Sequence, residues 1–331
     1  MGKQVKTPRF YVDMPTFLHA TGQLGWDGSD GGAELLYMNC ANPYLGTSFQ
    51  IGLDDNIKTS FPINFVGLLN HNLAGTDLVI NGNDIELTPT ASVINYDTSS
   101  IITYNGTSIF SFTEDNQVWE KFTIEQALED DVEATSKQLG SFVVGKYFDC
   151  PNSPDLNLTM SRRFDGIKSQ KTIGGKTLSN IYYDGPTEWT MNNADGTYKY
   201  PPFELDTTGT EFNQRVKSGL GRKGLRSWKL SFSYIAENDI WMENEVSNNV
   251  IADNVDPDET KPSLMLSDNS FNFVWNCTLG GTLPFIFQPD NSEDGRNPDQ
   301  FAICTFRENT FNVDQVANNV YNVSMTIDEL A

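Results

Sequence analysis

An all-β fold follows from three features of the sequence: one long period-two alternation, one short continuous apolar run, and a composition suited to strands joined by polar turns. The alternation is Leu225–Tyr234, which puts Trp228, Leu230, Phe232 and Tyr234 on one face and Ser227, Lys229, Ser231 and Ser233 on the other. The apolar run is Phe65–Leu69, of the kind a strand buried on both faces shows. Asn, Asp, Thr, Ser, Gly and aromatic residues are abundant, and long helix-favouring runs are rare. At 331 residues the chain is long for a single core, so two domains are expected.

In chain order, short strands are expected at Phe10–Val12, around Phe17-Leu18, at Leu35–Tyr37 and at Phe49–Ile51. The segment Gly28-Ser-Asp-Gly-Gly32 is too loose and acidic to cradle phosphate and reads as a solvated loop. The Phe65–Leu69 strand closes in Asn70–Gly75, and Asp77–Gly82 returns as a second strand. His71 sits in that polar turn with no acid or cysteine spaced to cooperate, which points to a structural role. Ile101–Tyr104, Ile109–Phe112, Trp119–Ile124 and Leu139–Phe148 continue the strands, and Glu125–Lys137 is a short acidic helix candidate, with a loop as the alternative. At Cys150-Pro-Asn-Ser-Pro-Asp155 two prolines interrupt the sheet pattern, so the expected domains are residues 1–148 and 149–331.

The run into Asn70-His71-Asn72-Leu73, the Gln117–Ile124 strand and the Leu139–Tyr147 strand resemble the galactose-binding-like (discoidin-type, jelly-roll) β-sandwiches of bacteriophage tail structural proteins. The resemblance spans about residues 35–150 and implies a β-sandwich scaffold. It carries over no sugar-binding residue, because that fold hosts many functions.

The second half opens with Leu156–Met160 and Arg162–Gly166, followed by Ser169–Thr177. Gly174-Gly-Lys-Thr177 ends like a phosphate loop, but that motif requires glycine where Gln170 stands, so Gly174-Gly175 is expected to be a hairpin turn. Asn180–Pro202 is turn-rich and aromatic. Tyr182, Tyr183 and Trp189 are candidate contacts for a glycan or a partner, or they cap a sheet edge. After Tyr234 the chain is acidic and irregular over residues 237–262, a long exposed excursion. Asp290–Gly295 partly mimics a calcium loop, but Phe301 occupies the position of its last ligand, so no metal is expected. Phe271–Asn276, Leu283–Pro289, Phe301–Phe306 and Val320–Ile327 all read as strands. The last places Val323, Met325 and Ile327 opposite Asn322, Ser324 and Thr326. The Trp228-x-Leu-x-Phe232 strand, Leu283–Phe287, Pro298–Phe306 and the Val320–Glu329 ending together resemble the β-barrel half of phage distal-tail, tail-tip or baseplate proteins. That resemblance implies an antiparallel β-barrel or β-sandwich for the second half, and a subunit that assembles into a ring in the virion tail.

With 44 acidic and 22 basic residues the formal charge is −22, which excludes broad affinity for nucleic acid or an anionic membrane. No apolar stretch behind Met1 or later approaches a signal peptide or a membrane span. Cys40, Cys150, Cys277 and Cys304 are widely separated, as buried reduced thiols would be, and only His19 and His71 could join them in a zinc site. Against the acidic background stands one glycine-rich basic arm, with Arg215, Lys217, Arg222, Lys223 and Arg226 within twelve positions. These five are the candidate subunit-contact residues, mobile in the free chain and ordered against acidic runs of a neighbouring copy; the alternative is an ordinary solvated loop.

The expected function is thus a virion structural subunit of a phage tail, with no enzymatic activity and no cofactor. It would be assembled in the host cytoplasm, with itself and other tail proteins as partners. The alternative from another class is a carbohydrate-binding or adhesion module that stacks its aromatics on host-surface glycans. No nucleophile elbow, metal motif or phosphate loop points to an enzyme.

Overall fold

Strands make up 53% of the described residues, and the all-β class holds. The computed structural model describes residues 5–22, 35–38, 44–46, 49–52, 63–71, 78–82, 85–87, 108–115, 121–126, 137–163, 167–181, 224–241, 270–292 and 301–330. The first half contains β1 (Arg9–Asp13), α1 (Met14–Ala20), β2 (Tyr44–Gly46), β3 (Phe49–Gly52), β4 (Ile63–His71), β5 (Leu78–Gly82) and β6 (Ile85–Leu87). It continues with β7 (Ser108–Asp115), β8 (Lys121–Gln126) and β9 (Lys137–Asp149). The second half begins with β10 (Thr159–Arg163), β11 (Ile167–Lys171), β12 (Thr177–Ile181), β13 (Leu225–Ala236) and α2 (Glu237–Ile240). It ends with α3 (Phe271–Cys277), β14 (Phe285–Gln288), β15 (Ala302–Phe306), β16 (Asn312–Ala317) and β17 (Val320–Glu329).

Eleven of these strands form one antiparallel sheet, in the order β10-β13-β17-β15-β14-β1-β9-β4-β7, with β16 beside β17 and β2 beside β9. Strands β3, β8, β5 and β6 form a second sheet, and β11 and β12 a separate hairpin. β1 lies between the two halves of the chain: Tyr11 pairs with Tyr147 of β9 on one side and with Ile286 of β14 on the other. The boundary expected at Cys150–Asp155 therefore falls within a single sheet. The amide of Cys150 donates to Pro8 O and that of Asp155 to Ser231 O, so the prolines mark a turn held against the sheet and not a linker.

The sheet curls around an aromatic core. Phe10 packs against Phe148, Phe285, Phe287 and Phe306, with ring centroids 5.3–6.5 Å apart. Phe271 of α3 touches both Phe148 of β9 and Phe232 of β13, and strands five places apart in the sheet order can share one neighbour only if the sheet is bent about the helix. On the opposite face Tyr11, Phe65, Leu69, Val143, Ile286 and Ile303 form a second buried cluster. Central strands are thus covered on both faces, which is why Phe65–Leu69 and Phe285–Phe287 read as unbroken apolar runs.

Three strand expectations became other structure. Phe271–Asn276 is helical: Ser270 caps it by accepting from the Phe273 amide, and burial of Phe271, Phe273, Val274, Trp275 and Cys277 leaves little of it wet. A helix apolar nearly all round gives no 3.6-residue stripe to read. Phe17-Leu18 belongs to α1, in which Met14, Phe17 and Leu18 fall on one helical face against the core. Leu35–Tyr37 is a turn, although Leu35 and Leu36 are buried and Leu35 O accepts from the Ser141 hydroxyl at 2.7 Å.

Of the Glu125–Lys137 helix candidate, Glu125 and Gln126 end β8 and Lys137 starts β9; the residues between lie outside the described ones, as does Ile101–Tyr104. His71 is the last residue of β4 and not part of a turn. The expected excursion begins later than residue 237. Glu237–Ile240 is a helical turn that inserts Ile240 into the core, and Trp241 packs beside it against Phe311 and Tyr321; residues 242–269 lie outside the described ones.

Candidate contact surface

Most charged groups of the described interior are consumed by internal partners. Arg9 grips Asp149 through two hydrogen bonds of 2.6 and 2.7 Å and lies over the Tyr147 ring at 3.8 Å. Asn291 donates to the same carboxylate at 2.9 Å, and Tyr11 donates to Gln288 at 2.8 Å. Lys6 reaches Asp290 at 3.2 Å, so segments from both ends of the chain and its middle are clasped at one end of β1. Burial would raise the Asp290 carboxyl, but hydrogen bonds from Ser292 and the Lys6 charge hold it below the usual carboxylate range.

Asp13, at the start of α1, is buried, and burial pushes it up to about 7 against the opposing hydrogen bond from the Thr16 hydroxyl. Cys150, Cys277 and Cys304 are buried, and burial raises the thiols of Cys150 and Cys277. Cys40 lies outside the described residues. Among the described residues no group of three or more His, Cys, Asp and Glu side chains converges as a metal site, and no helix is long and apolar enough to cross a membrane.

Of the five candidate contact residues, Arg226 is described and has a different role. It is buried and bonded to Glu329 through Nε at 3.1 Å and Nη2 at 2.8 Å, it donates to Phe301 O at 2.7 Å, and it lies 4.8 Å from the Trp228 ring centre. It is therefore an internal ion-pair partner and not a mobile contact. The signal was present in the sequence, since Arg226 precedes Trp228 by two on the apolar face of β13 and Glu329 follows Ile327 by two on that of β17. Arg215, Lys217, Arg222 and Lys223, and the aromatic candidates Tyr182, Tyr183 and Trp189, lie outside the described residues.

The surface that reaches outward is one the sequence reading passed over. Among the described residues β10 is the end strand of the large sheet, paired to β13 with Met160 opposite Trp228, and all five of its side chains are exposed. The core stops under β13, so Met160 and Arg162, on the face that is buried in the neighbouring strand, stand in solvent. An end strand leaves a row of backbone donors and acceptors open to another chain.

From β10 the chain passes into the β11–β12 hairpin, whose side chains from Ser169 to Ser179 are all exposed. Its turn is the glycine turn expected from Gly174-Gly175. Gly175 takes φ +78°, its amide donates to Thr172 O, and the Thr172 amide donates to Lys176 O at 2.8 Å. That is a three-residue loop closed by a left-handed glycine. The loop holds Ile173 at the tip with 110% relative exposure, and Leu178 on the return strand has 61%. Comparison of the chain with protein families, curated proteins and solved structures finds no match.

Proposed function

We propose that the protein is a structural subunit that assembles with further copies of itself, in the manner of the ring-forming proteins of phage tails, tail tips and baseplates. The observation that carries this reading is the fully exposed β10 edge leading into an exposed hairpin with Ile173 and Leu178 uncovered. Soluble domains seldom leave a sheet edge and an apolar tip side by side unless a partner covers them. The sequence resemblances of the two halves to a galactose-binding-like sandwich and to tail-tip barrels support the same reading, in which the subunit would belong to a virion tail assembled in the host cytoplasm. Internal pairing of Arg9 with Asp149 and of Arg226 with Glu329 fits a structural part whose polar groups hold its own frame together.

Electron microscopy of the purified chain tests the reading. Rings of one diameter are expected. Single particles without rings, together with selective binding on a glycan array, would instead assign the chain to carbohydrate recognition.

A further inference from the structure

We propose that the β11–β12 hairpin is the arm with which one copy of this chain holds the next, seated on the acidic surface of the neighbour; the proposal rests on the assembly reading above. Three observations meet at this element. Every described side chain from Ser169 to Ser179 is exposed, on both faces of the ribbon, so this outer part of the hairpin does not serve the core. A two-stranded ribbon with no face to bury is marginal in water, and its apolar residues gain only when something covers them. Within the stretch from Ser169 to Ser179 those residues are Ile173 and Leu178.

Charge selects the occupant. Thr159–Ile181 contains Arg162, Arg163, Lys168, Lys171 and Lys176 against Asp165 alone, in a chain whose net charge is −22. A basic projection on an acidic body finds its complement on any second copy, and the same acidic body repels a phosphate backbone. The closed three-residue turn presents Ile173 between Lys171 and Lys176, an apolar tip flanked by two cations that would steer it onto an acidic rim.

The test is sedimentation velocity of the parent and of a Lys171→Glu, Ile173→Ser, Lys176→Glu variant, over a range of protein and salt concentrations. The variant is expected to keep the parent's melting point, because none of the three residues touches the core, and to associate at least tenfold more weakly with a shallower salt dependence. If the parent assembles and the folded variant assembles equally well, the hairpin assignment is wrong while the assembly reading stands. If the parent is monomeric throughout, both fall. Binding of a monomeric parent to heparin, lost in the variant, would give the hairpin to a polyanion and overturn the proposal. A Lys171→Cys protein carrying a thiol-linked crosslinker gives a second readout that leaves Ile173 and Lys176 in place. Crosslinks to a second copy support the contact, and crosslinks within one chain alone refute it.

Discussion

Arg226 and Glu329 carry opposite charges beneath the sheet at 5% or less side-chain exposure, a position tolerable only while each satisfies the other. Arg226→Ala is expected to cost about 3–5 kcal/mol, because it removes the guanidinium that compensates the charge of the buried Glu329 carboxylate. Replacing both by apolar residues, Arg226→Met with Glu329→Leu, should recover most of that loss. Equal destabilisation by the single and double variants in chemical denaturation would contradict the pairing account.

Asp13 gives a second residue-scale prediction. Its folded value of about 7 lies above the 3.8 of an exposed aspartate, so the folded chain holds a proton that the unfolded chain releases between these limits. Stability from this group is full below about pH 4 and is lost as pH rises to 7. Asp13→Asn should therefore flatten that part of the pH–stability curve and raise the melting point at pH 8. An unchanged curve would show that the carboxyl ionises at its ordinary value.

Tyr234 shows how one residue escapes a period. Ser233 and Tyr234 together oppose Asn322, Tyr234 adopts φ +60°, and the bulge turns it out to 78% exposure while Ile235 enters the core. Phe232→Ala should cost about 3–5 kcal/mol, and Tyr234→Ala should stay within about 0.5 kcal/mol. Comparable losses for the two in thermal melts would put Tyr234 back on the buried face.

At the scale of elements, the sequence was most legible where burial is one-sided. The alternating stretches Ser227–Phe232 and Asn322–Ile327 became β13 and β17 with the expected residues inside, and Gly174-Gly175 became the expected turn. It was least legible where burial is all-round, since Phe271–Asn276 has apolar residues at both strand and helix spacing and only the Ser270 cap distinguishes them. β16 was missed because it is almost wholly exposed and has no apolar pattern, and the exposed hairpin was passed over as a contact surface for the same reason.

Close strand approach gives the prediction at this scale. Gly145 of β9 faces Asp13 of β1 and Phe65 of β4, and a Cβ there would stand 2.3 Å from Val12 O. Gly145→Ala should cost about 1–3 kcal/mol by forcing β1 and β9 apart. A melting point equal to the parent's would show that the strands are not so close.

For the whole molecule, β1 ties the chain's halves into one sheet and one aromatic core, a feature hidden from sequence because strand partners as far apart as Asp13 and Gly145 or Arg9 and Gln288 leave no local pattern. The residues described in that core should unfold together, and the turn at Cys150–Asp155 should resist limited proteolysis because its amides are bonded to Pro8 and Ser231. Cleavage there that releases two separately folded pieces would contradict a shared core.

Among the described residues the β10 edge and the basic hairpin are exposed, and the proposed assembly would be made through them. Native mass spectrometry across a dilution series tests that claim most directly. The account predicts one closed oligomer of fixed stoichiometry that gives way to monomer on dilution. A monomer at every concentration would contradict it.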